Sequence, residues 1–347
     1  MKTSHALTIA DARSLPVDDG SVQLVVTSPP YPMIEMWDAG FRAMSPAVGQ
    51  ALDAEQGLRA FEAMHLELDR VWAELFRVLS PGGLACINIG DATRSVAGQF
   101  RLYHNHARIL QGAVALGFTV LPDILWRKPT NAPNKFMGSG MLPGGAYVTY
   151  EHEYILVLRK GDKRAFQDRS ARARSAYFWE ERNLWFSDLW ELKGTRQGLA
   201  RGRERSAAFP LELPWRLIHM YSCYGDTVLD PFVGTGTTVL AAAMAGRNSV
   251  GVDLDPKVPL ALDTLLDGAM SEGPARIRAR LKAHQDFVRE RLASGRELKH
   301  HNAAHDVRVI TGQEKGLELL QPVARVGPDQ LEYAPLRPAL DLFGQLL

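Results

Sequence analysis

Two stretches of the chain combine residue types that can do chemistry. Leu24 to Tyr31 reads LVVTSPPY, an apolar β-branched run that breaks into Ser-Pro-Pro-aromatic. The first proline removes a backbone donor and the second restrains the residue before it, so a buried strand must end there in a rigid, protruding loop. That loop presents the Ser28 hydroxyl, the carbonyls around Pro29 and Pro30, and the flat face of Tyr31. Such a set suits gripping a planar ring through an exocyclic amine. Val228 to Thr238 reads VLDPFVGTGTT, a short strand ending in Asp230, then a turn through Phe232, Gly234, Thr235 and Gly236 that opens a helix. Such a turn brings backbone close to a ligand that carries a nucleoside and a polar tail. Asp230 can meet an ammonium group. Asp253, about twenty residues on at the end of the next strand, can accept both ribose hydroxyls. No lysine follows the glycines, which argues against a P-loop triphosphate site. S-adenosylmethionine and NAD both answer this description.

These loops need strands to hold them. Ala6 to Ala10 reads as a short strand followed by Asp11. Arg59 to Leu79 carries Met64, Leu68, Val71, Trp72, Leu75 and Leu79 on a stripe of 3.6-residue period, which predicts an amphipathic helix. Ser80-Pro81-Gly82-Gly83 stops it, and LACINIGD (Leu84 to Asp91) is the next buried strand. A helix is expected over Arg101 to Leu116, strands over Val120 to Trp126 and Glu151 to Leu158, and a helix over Pro210 to Tyr221. Strand and helix patterns alternate, as in an α/β protein whose largely parallel sheet is covered on both faces.

The chain has 347 residues, with 40 Lys and Arg against 39 Asp and Glu, so overall charge names no partner. Local charge is more telling. Between Arg159 and Arg205, thirteen basic residues face seven acids, interleaved with Tyr177, Phe178, Trp179, Trp185, Phe186 and Trp190. A basic stretch with embedded aromatics fits a nucleic-acid backbone, whereas a solvated loop anchored by its aromatics is the plainer alternative. Cys86 and Cys223 lie in apolar surroundings without metal-ligand spacing and read as reduced core residues; no metal is expected. No run is long and apolar enough for a membrane span, and a cytoplasmic protein is expected. The basic run ARIRARLKAHQDFVRERL near the C-terminus is expected to be a helix with a solvated face, and His300, His301 and His305 lack evident ligand partners.

TSPPY and DPFVGTGTT, in that order, resemble the catalytic and cofactor motifs of the DNA amino-methyltransferases, in the circularly permuted arrangement called the beta class. ELFRVLSPGG, the IGD of Ile89 to Asp91, ILWRKP, EHEYILVLRKG and FPLELPWRLI resemble that family too. The matching segments run from Ala10 to Pro256, and residues beyond them have no guide in the family. The resemblance implies a Rossmann-like class I methyltransferase fold with a doubly wound, mostly parallel sheet. Residues 1–158 would form the catalytic half, 159–205 an inserted target-recognition segment, 206–270 the cofactor half, and 271–347 an extension. It implies S-adenosyl-L-methionine as cofactor, with Asp230, Phe232, Gly234, Thr235 and Gly236 around its methionine part and Asp253 on its ribose. Phe209 and Pro210 would line the same pocket, and Asp11 would lie near the adenine.

The resemblance further implies that Ser28, Pro29, Pro30 and Tyr31 hold the target base, flipped out of double-stranded DNA. Arg201, Arg203 and Arg205 would contact that DNA. A serine at the first motif position goes more often with N4 of cytosine than with N6 of adenine, so cytosine is expected and adenine is the alternative. A cognate restriction endonuclease is the partner such an enzyme would have in a restriction-modification system. A permuted dinucleotide-dependent oxidoreductase or a DNA-binding module without turnover would leave Ser-Pro-Pro-Tyr without a role.

Overall fold

The apolar run before Ser28 is buried on both sides: Leu24 and Val26 pack into one core layer, Val22 and Val25 into the other. A strand buried twice belongs inside a sheet covered on both faces. The computed structural model describes residues 1–128, 137, 138, 140–166, 168–194 and 209–337. Its first half runs β1 (Lys2–Ile9), β2 (Val22–Thr27), α1 (Asp38–Met44), α2 (Pro46–Asp53), α3 (Gly57–Val78), β3 (Leu79–Ile89), β4 (Ala92–Val96), β5 (Gln99–Tyr103), α4 (Asn105–Ala115), β6 (Phe118–Arg127), β7 (Met137–Gly138), β8 (Ala146–Tyr147) and β9 (His152–Lys160). The second half runs α5 (Arg169–Arg174), α6 (Trp179–Trp185), β10 (Leu189–Glu191), α7 (Glu212–Tyr221), β11 (Thr227–Asp230), α8 (Thr237–Met244), β12 (Asn248–Asp253), α9 (Leu262–Ala293), β13 (His300–Asn302), β14 (Val307–Val309), β15 (Leu320–Gly327) and β16 (Gln330–Pro335).

Ten of these strands form one sheet in the order β10-β6-β9-β3-β2-β11-β12-β1-β16-β15. From β3 to β1 all neighbours are parallel. The chain leaves β2 through α1, α2 and α3 toward β3, and leaves β11 through α8 toward β12 on the other side. The C-terminal ends of β2 and β11 therefore flank a topological switch point, where ligands bind in open α/β sheets. This is the doubly wound, Rossmann-like architecture. Two departures from a purely parallel sheet stand out. Strand β9 is antiparallel to both β3 and β6, and β16 is antiparallel to β1 and β15.

Helix α3 forms because its apolar positions recur with helical period. Met64, Leu68, Val71, Trp72, Leu75 and Val78 are all buried, in the same layer as Val25 and Leu229. Each such side chain contributes roughly 1.5–3 kcal/mol by leaving water. The opposite layer is built by α7, α8 and α9. Helix α8 can lie close to the sheet because Ala241, Ala242 and Ala243 are small and fully buried. The helix expected from Arg101 begins only at Asn105. Arg101 to Tyr103 instead pair with Ala92 to Arg94 in the β4–β5 hairpin, and the Asp91 carboxylate accepts from the His106 N–H at the start of α4.

The segment expected to face nucleic acid is partly internal. Phe178, Trp185 and Trp190 are buried core residues, Arg164 pairs with Asp226, and Arg174 pairs with Glu318. Three of the six aromatics from Tyr177 to Trp190 thus anchor it to the core, while Tyr177 and Trp179 are half-buried and Phe186 is exposed. Arg201, Arg203 and Arg205 lie outside the described residues. The basic C-terminal run forms most of α9. Its buried Arg280 is bonded to Glu181, and its His284 to Glu180, so this face docks on α6 and is not open to solvent. Among the described residues no helix is long and apolar enough to cross a membrane.

Strand β3 pairs with β2 at Leu79, loops out over Ser80 to Gly83, and resumes at Leu84. Gly82 has a left-handed φ of +78°, and a Cβ there would lie 2.3 Å from the backbone N of Arg164. Backbone cannot step aside as a side-chain tip can. Gly82→Ala should therefore lower the unfolding free energy by roughly 2–4 kcal/mol, combining left-handed strain with the overlap. A urea midpoint unchanged from wild type would refute this.

Candidate active site

At the switch point the two chemical stretches meet through one buried carboxylate. Asp230, the last residue of β11, is only 2% exposed. Its Oδ1 accepts from the Thr27 hydroxyl at 2.7 Å and the Phe232 N–H at 3.1 Å, and its Oδ2 accepts from the Thr238 hydroxyl at 2.7 Å. Thr27 is the residue before Ser28, and Thr238 is in the first turn of α8. Burial raises the Asp230 pKa to about 6, against the opposing pull of these donors. The carboxylate offered by the sequence to an ammonium group thus lies beneath the glycine turn, held by the protein's own donors.

Above it the turn is open. Gly234 and Gly236 both have left-handed φ, +51° and +86°. A Cβ on Gly236 would strike Leu265 Cδ1 at 2.3 Å, whereas one on Gly234 would meet nothing nearer than a carbonyl at 3.9 Å. Gly236 is needed for packing, and Gly234 faces free space. Thr235 between them is exposed. Asp253, at the end of β12, is half-buried and accepts from the N–H groups of Gly234 at 2.9 Å and Asp255 at 3.0 Å, one on each oxygen. A carboxylate oxygen has room for a second donor, so Asp253 can still receive hydroxyls. Asp11 lies just beyond β1, whose Ile9 is in register with Asp253, and its carboxylate is bonded to the Arg13 guanidinium, which holds its pKa down. Phe232 is half-buried against the α3 layer, while Phe209 and Pro210 are buried before α7, with Phe209 in the core layer of Leu24 and Val228.

Across the cleft, the Ser-Pro-Pro-Tyr loop is fixed by residues that lie far away in sequence. Tyr31 donates its hydroxyl to Glu153 Oε2 at 2.9 Å, and its oxygen receives the Asn88 amide at 2.8 Å. Ser28 Oγ lies 3.1 Å from the same phenol oxygen. Lys128 pairs with the other oxygen of Glu153, and Asn88 also donates to Glu153 Oε2 at 2.7 Å. Burial and the Glu153 charge raise the Tyr31 pKa well above its ordinary value, so the phenol keeps its proton. The ring packs so close to Gly90 that a Cβ there would come within 3.0 Å of Tyr31 Cε2 and 3.2 Å of Glu153 Cγ. Just after this loop, Met33 adopts a left-handed φ of +66° with its side chain buried, a strained backbone of the kind that persists at functional loops. Buried Asn105 ties the structure together, donating to the carbonyls of Pro32 at 3.1 Å and Gly90 at 2.9 Å.

Asn88, Lys128 and Glu153 were not singled out from the sequence. Asn88 carried a signal: it is a polar residue in the middle of the buried run LACINIGD. Next to this network, Asp91 gathers His106, His104 and Tyr150, with His106 Nδ1 and the Tyr150 hydroxyl at 2.8 Å and 3.1 Å. Asp91 and the two histidines would suit a transition cation, yet both carboxylate oxygens already have hydrogen-bond donors, so the cluster is complete as it stands.

Residues 22–259 match the model of the DNA methylase family N6_N4_Mtase, a span that holds both motifs and every residue of the cleft except Asp11. The chain belongs to that family. The type II methyltransferase M.MthZI of Methanothermobacter thermautotrophicus is 47% identical to this methylase over 330 residues, covering 93% of this chain and 92% of its own. The type II methyltransferase M.MjaI of Methanocaldococcus jannaschii is 49% identical over 266 residues, covering 73% and 88%. Among solved structures, TTHA0409 of Thermus thermophilus in complex with S-adenosyl-L-methionine superposes with a TM-score of 0.60 at 35% identity, over 76% of this chain and 96% of that one.

The raised pKa of Asp230 makes a signed prediction. A carboxyl whose pKa is higher folded than unfolded stabilises the fold while protonated, and that contribution is lost as pH rises through about 6. Asp230→Asn keeps the shape and has no such titration. In the ligand-free methylase the variant should gain on wild type by on the order of 3 kcal/mol between about pH 4 and pH 7, read from denaturant curves. A difference that stays flat with pH would show that burial does not shift this carboxyl.

Proposed function

We propose that this DNA methylase transfers a methyl group from S-adenosyl-L-methionine to the exocyclic N4 amine of a cytosine flipped out of double-stranded DNA, as the modification enzyme of a type II system of the beta class. The observation that carries the reading is the hydrogen-bond network around Ser28. Glu153, paired with Lys128, accepts the Tyr31 hydroxyl. The phenol oxygen then accepts from Asn88 and from Ser28. With its own proton committed to Tyr31, Ser28 Oγ, which also lies 3.4 Å from the Asn88 amide, keeps a lone pair for an incoming N–H. The Pro29 carbonyl, followed by Pro30 with no N–H, is a second acceptor close by.

Two acceptors are what an aromatic amine needs. Its lone pair is delocalised into the ring, and drawing both N–H groups toward Ser28 and Pro29 frees that pair and stabilises the positive charge growing on nitrogen. Tyr31, with its hydroxyl tied down, offers a fixed face for the flipped base, and extrusion costs a few kcal/mol that this stacking helps offset. On the other side, Asp253 would hold the ribose of the cofactor, and the backbone of Phe232, Gly234, Thr235 and Gly236 its methionine part, with the Asp230 charge below an ammonium. Phe209, Pro210 and Asp11 would complete the pocket walls. S-adenosyl-L-methionine supplies an electrophilic methyl on a sulfonium. The protein's contribution is alignment of the amine with that methyl and acceptors set in advance. Cytosine is favoured over adenine by the serine at the first motif position. The relatives named above as type II methyltransferases support a cognate endonuclease as partner.

Mass analysis of nucleosides from treated DNA should give N4-methylcytosine, and N6-methyladenine in its place would reverse the base while leaving the site's roles intact. Ser28→Ala should leave cofactor affinity near wild type and slow single-turnover methylation about 10²-fold. Glu153→Gln should also slow it, because an amide can donate to Tyr31 and release the Ser28 proton from its direction. A Ser28→Ala enzyme with wild-type single-turnover rate would remove the hydroxyl from the chemistry.

A further inference from the structure

The β4–β5 hairpin springs directly from the catalytic network. Its first residue, Ala92, follows Asp91, two positions from the Gly90 that touches Tyr31, and its last, Tyr103, precedes the turn to Asn105, which bonds Gly90 and Pro32. The turn between the strands has left-handed φ at both Ala97 and Gly98, +51° and +74°, the two-residue geometry that matches strand twist and makes a stiff hairpin. Phe100, across from Ser95, is 43% exposed, yet its ring stacks on that of Tyr147 at 5.1 Å and 13°, and Tyr147 is itself 53% exposed. Tyr147 belongs to a segment anchored three residues later, where the Tyr150 hydroxyl bonds Asp91. Both supports of this exposed aromatic pair thus lead back to Asp91. Ser95, across from Phe100, lies three strand residues, about 10 Å, from Ala92 at the root of the hairpin.

Charge agrees with the aromatics. Arg94 and Arg101 sit directly opposite one another in the hairpin. Asp38 neutralises Arg94 through two bonds of 2.8 and 2.7 Å, and among the described residues no ion pair engages Arg101. Phe100 and Arg101 are successive strand residues and project from opposite faces of the hairpin, a ring for a base and a guanidinium for a phosphate on one stiff support rooted next to Gly90. Of the aromatics in the 159–194 stretch, Phe178, Trp185 and Trp190 are buried and closed to such contacts.

We propose that the β4–β5 hairpin engages duplex DNA beside the flipped base, with Phe100 and Tyr147 closing the gap left in the base stack and Arg101 on a flanking phosphate. The proposal rests on the DNA-methyltransferase reading and adds the surface that opens the duplex. Closing the gap stabilises the extruded state only where a stack has been broken, so its effect is confined to paired DNA.

A circular phage DNA, taken in its single-stranded and double-stranded forms, offers identical sequence in both states to the full chain with S-adenosyl-L-methionine. Phe100→Ala and Tyr147→Ala should each slow single-turnover methylation of the duplex about tenfold, and change the rate on the single strand less than about threefold. If wild type leaves the single strand unmodified, the same contrast is read from affinity for the two forms. Arg101→Ala should lower the slope of log affinity for duplex against log salt by about 0.9. Equal losses on both forms, an unchanged duplex rate, or an unchanged salt slope would overturn the assignment. So would light scattering in which Phe100→Ala dissociates a dimer while duplex methylation holds, because the patch would then join two copies of the chain. A wild-type chain that methylates neither form would sink the underlying reading instead, and would do so before any variant is made.

Discussion

The site depends on one buried carboxylate. Asp230 fastens the end of β2 to the end of β11 and to the first turn of α8, so the loop proposed to hold the base and the turn proposed to hold the cofactor share a single anchor. Burying a carboxylate without a cation is costly, and the cost appears as its raised pKa. Three short donors make the arrangement tolerable. What the chain gains is rigidity between two loops whose separation must match the distance between an amine and a methyl donor.

The second anchor is polar and lies across the cleft. Asn88 from β3 and Glu153 from β9 meet the Tyr31 hydroxyl, with Lys128 next to β6 on the other oxygen of Glu153, and they can do so only because antiparallel β9 slots between β3 and β6. In a purely parallel sheet Glu153 would sit at the opposite edge, where the strands begin. The direction of that one strand therefore determines which acceptor orders the protons of the loop proposed to hold the base.

Much of this was legible from the sequence, for local reasons. Prolines 29 and 30 impose a loop on any strand that meets them, and a Gly-x-Gly after a short apolar run imposes a turn, so Ser28, Tyr31, Gly234 and Asp253 could be placed before any coordinates. Helix α3 followed from period alone, and strand β1 and helix α7 from local sequence, with ends within four residues of those found. The bond from Thr27 to Asp230 was not legible, because 203 residues separate its ends and no periodicity encodes a pairing at that distance. The β4–β5 hairpin was missed because its Ala-Gly turn is a weaker signal than Asn-Gly and because Arg101 to Tyr103 continue plausibly into a helix. Between Tyr177 and Trp190, composition records that rings and charges alternate but not which rings turn inward: Phe178, Trp185 and Trp190 do, and Phe186 does not.

The antiparallel strands at the far side of the sheet have a consequence of another kind. A ten-stranded sheet ends in two rows of unpaired backbone groups, each a template on which a second chain could build a strand. One end here is β10, only three residues long. The other is β15, which carries Pro322, breaks register with β16 at two places and holds Arg325 against Asp263 and Asp267. Shortness at one border, and proline, bulges and charge at the other, make both poor templates. A wide and largely apolar sheet is thereby kept from stacking edge to edge into aggregates, at no cost to the cleft in its middle.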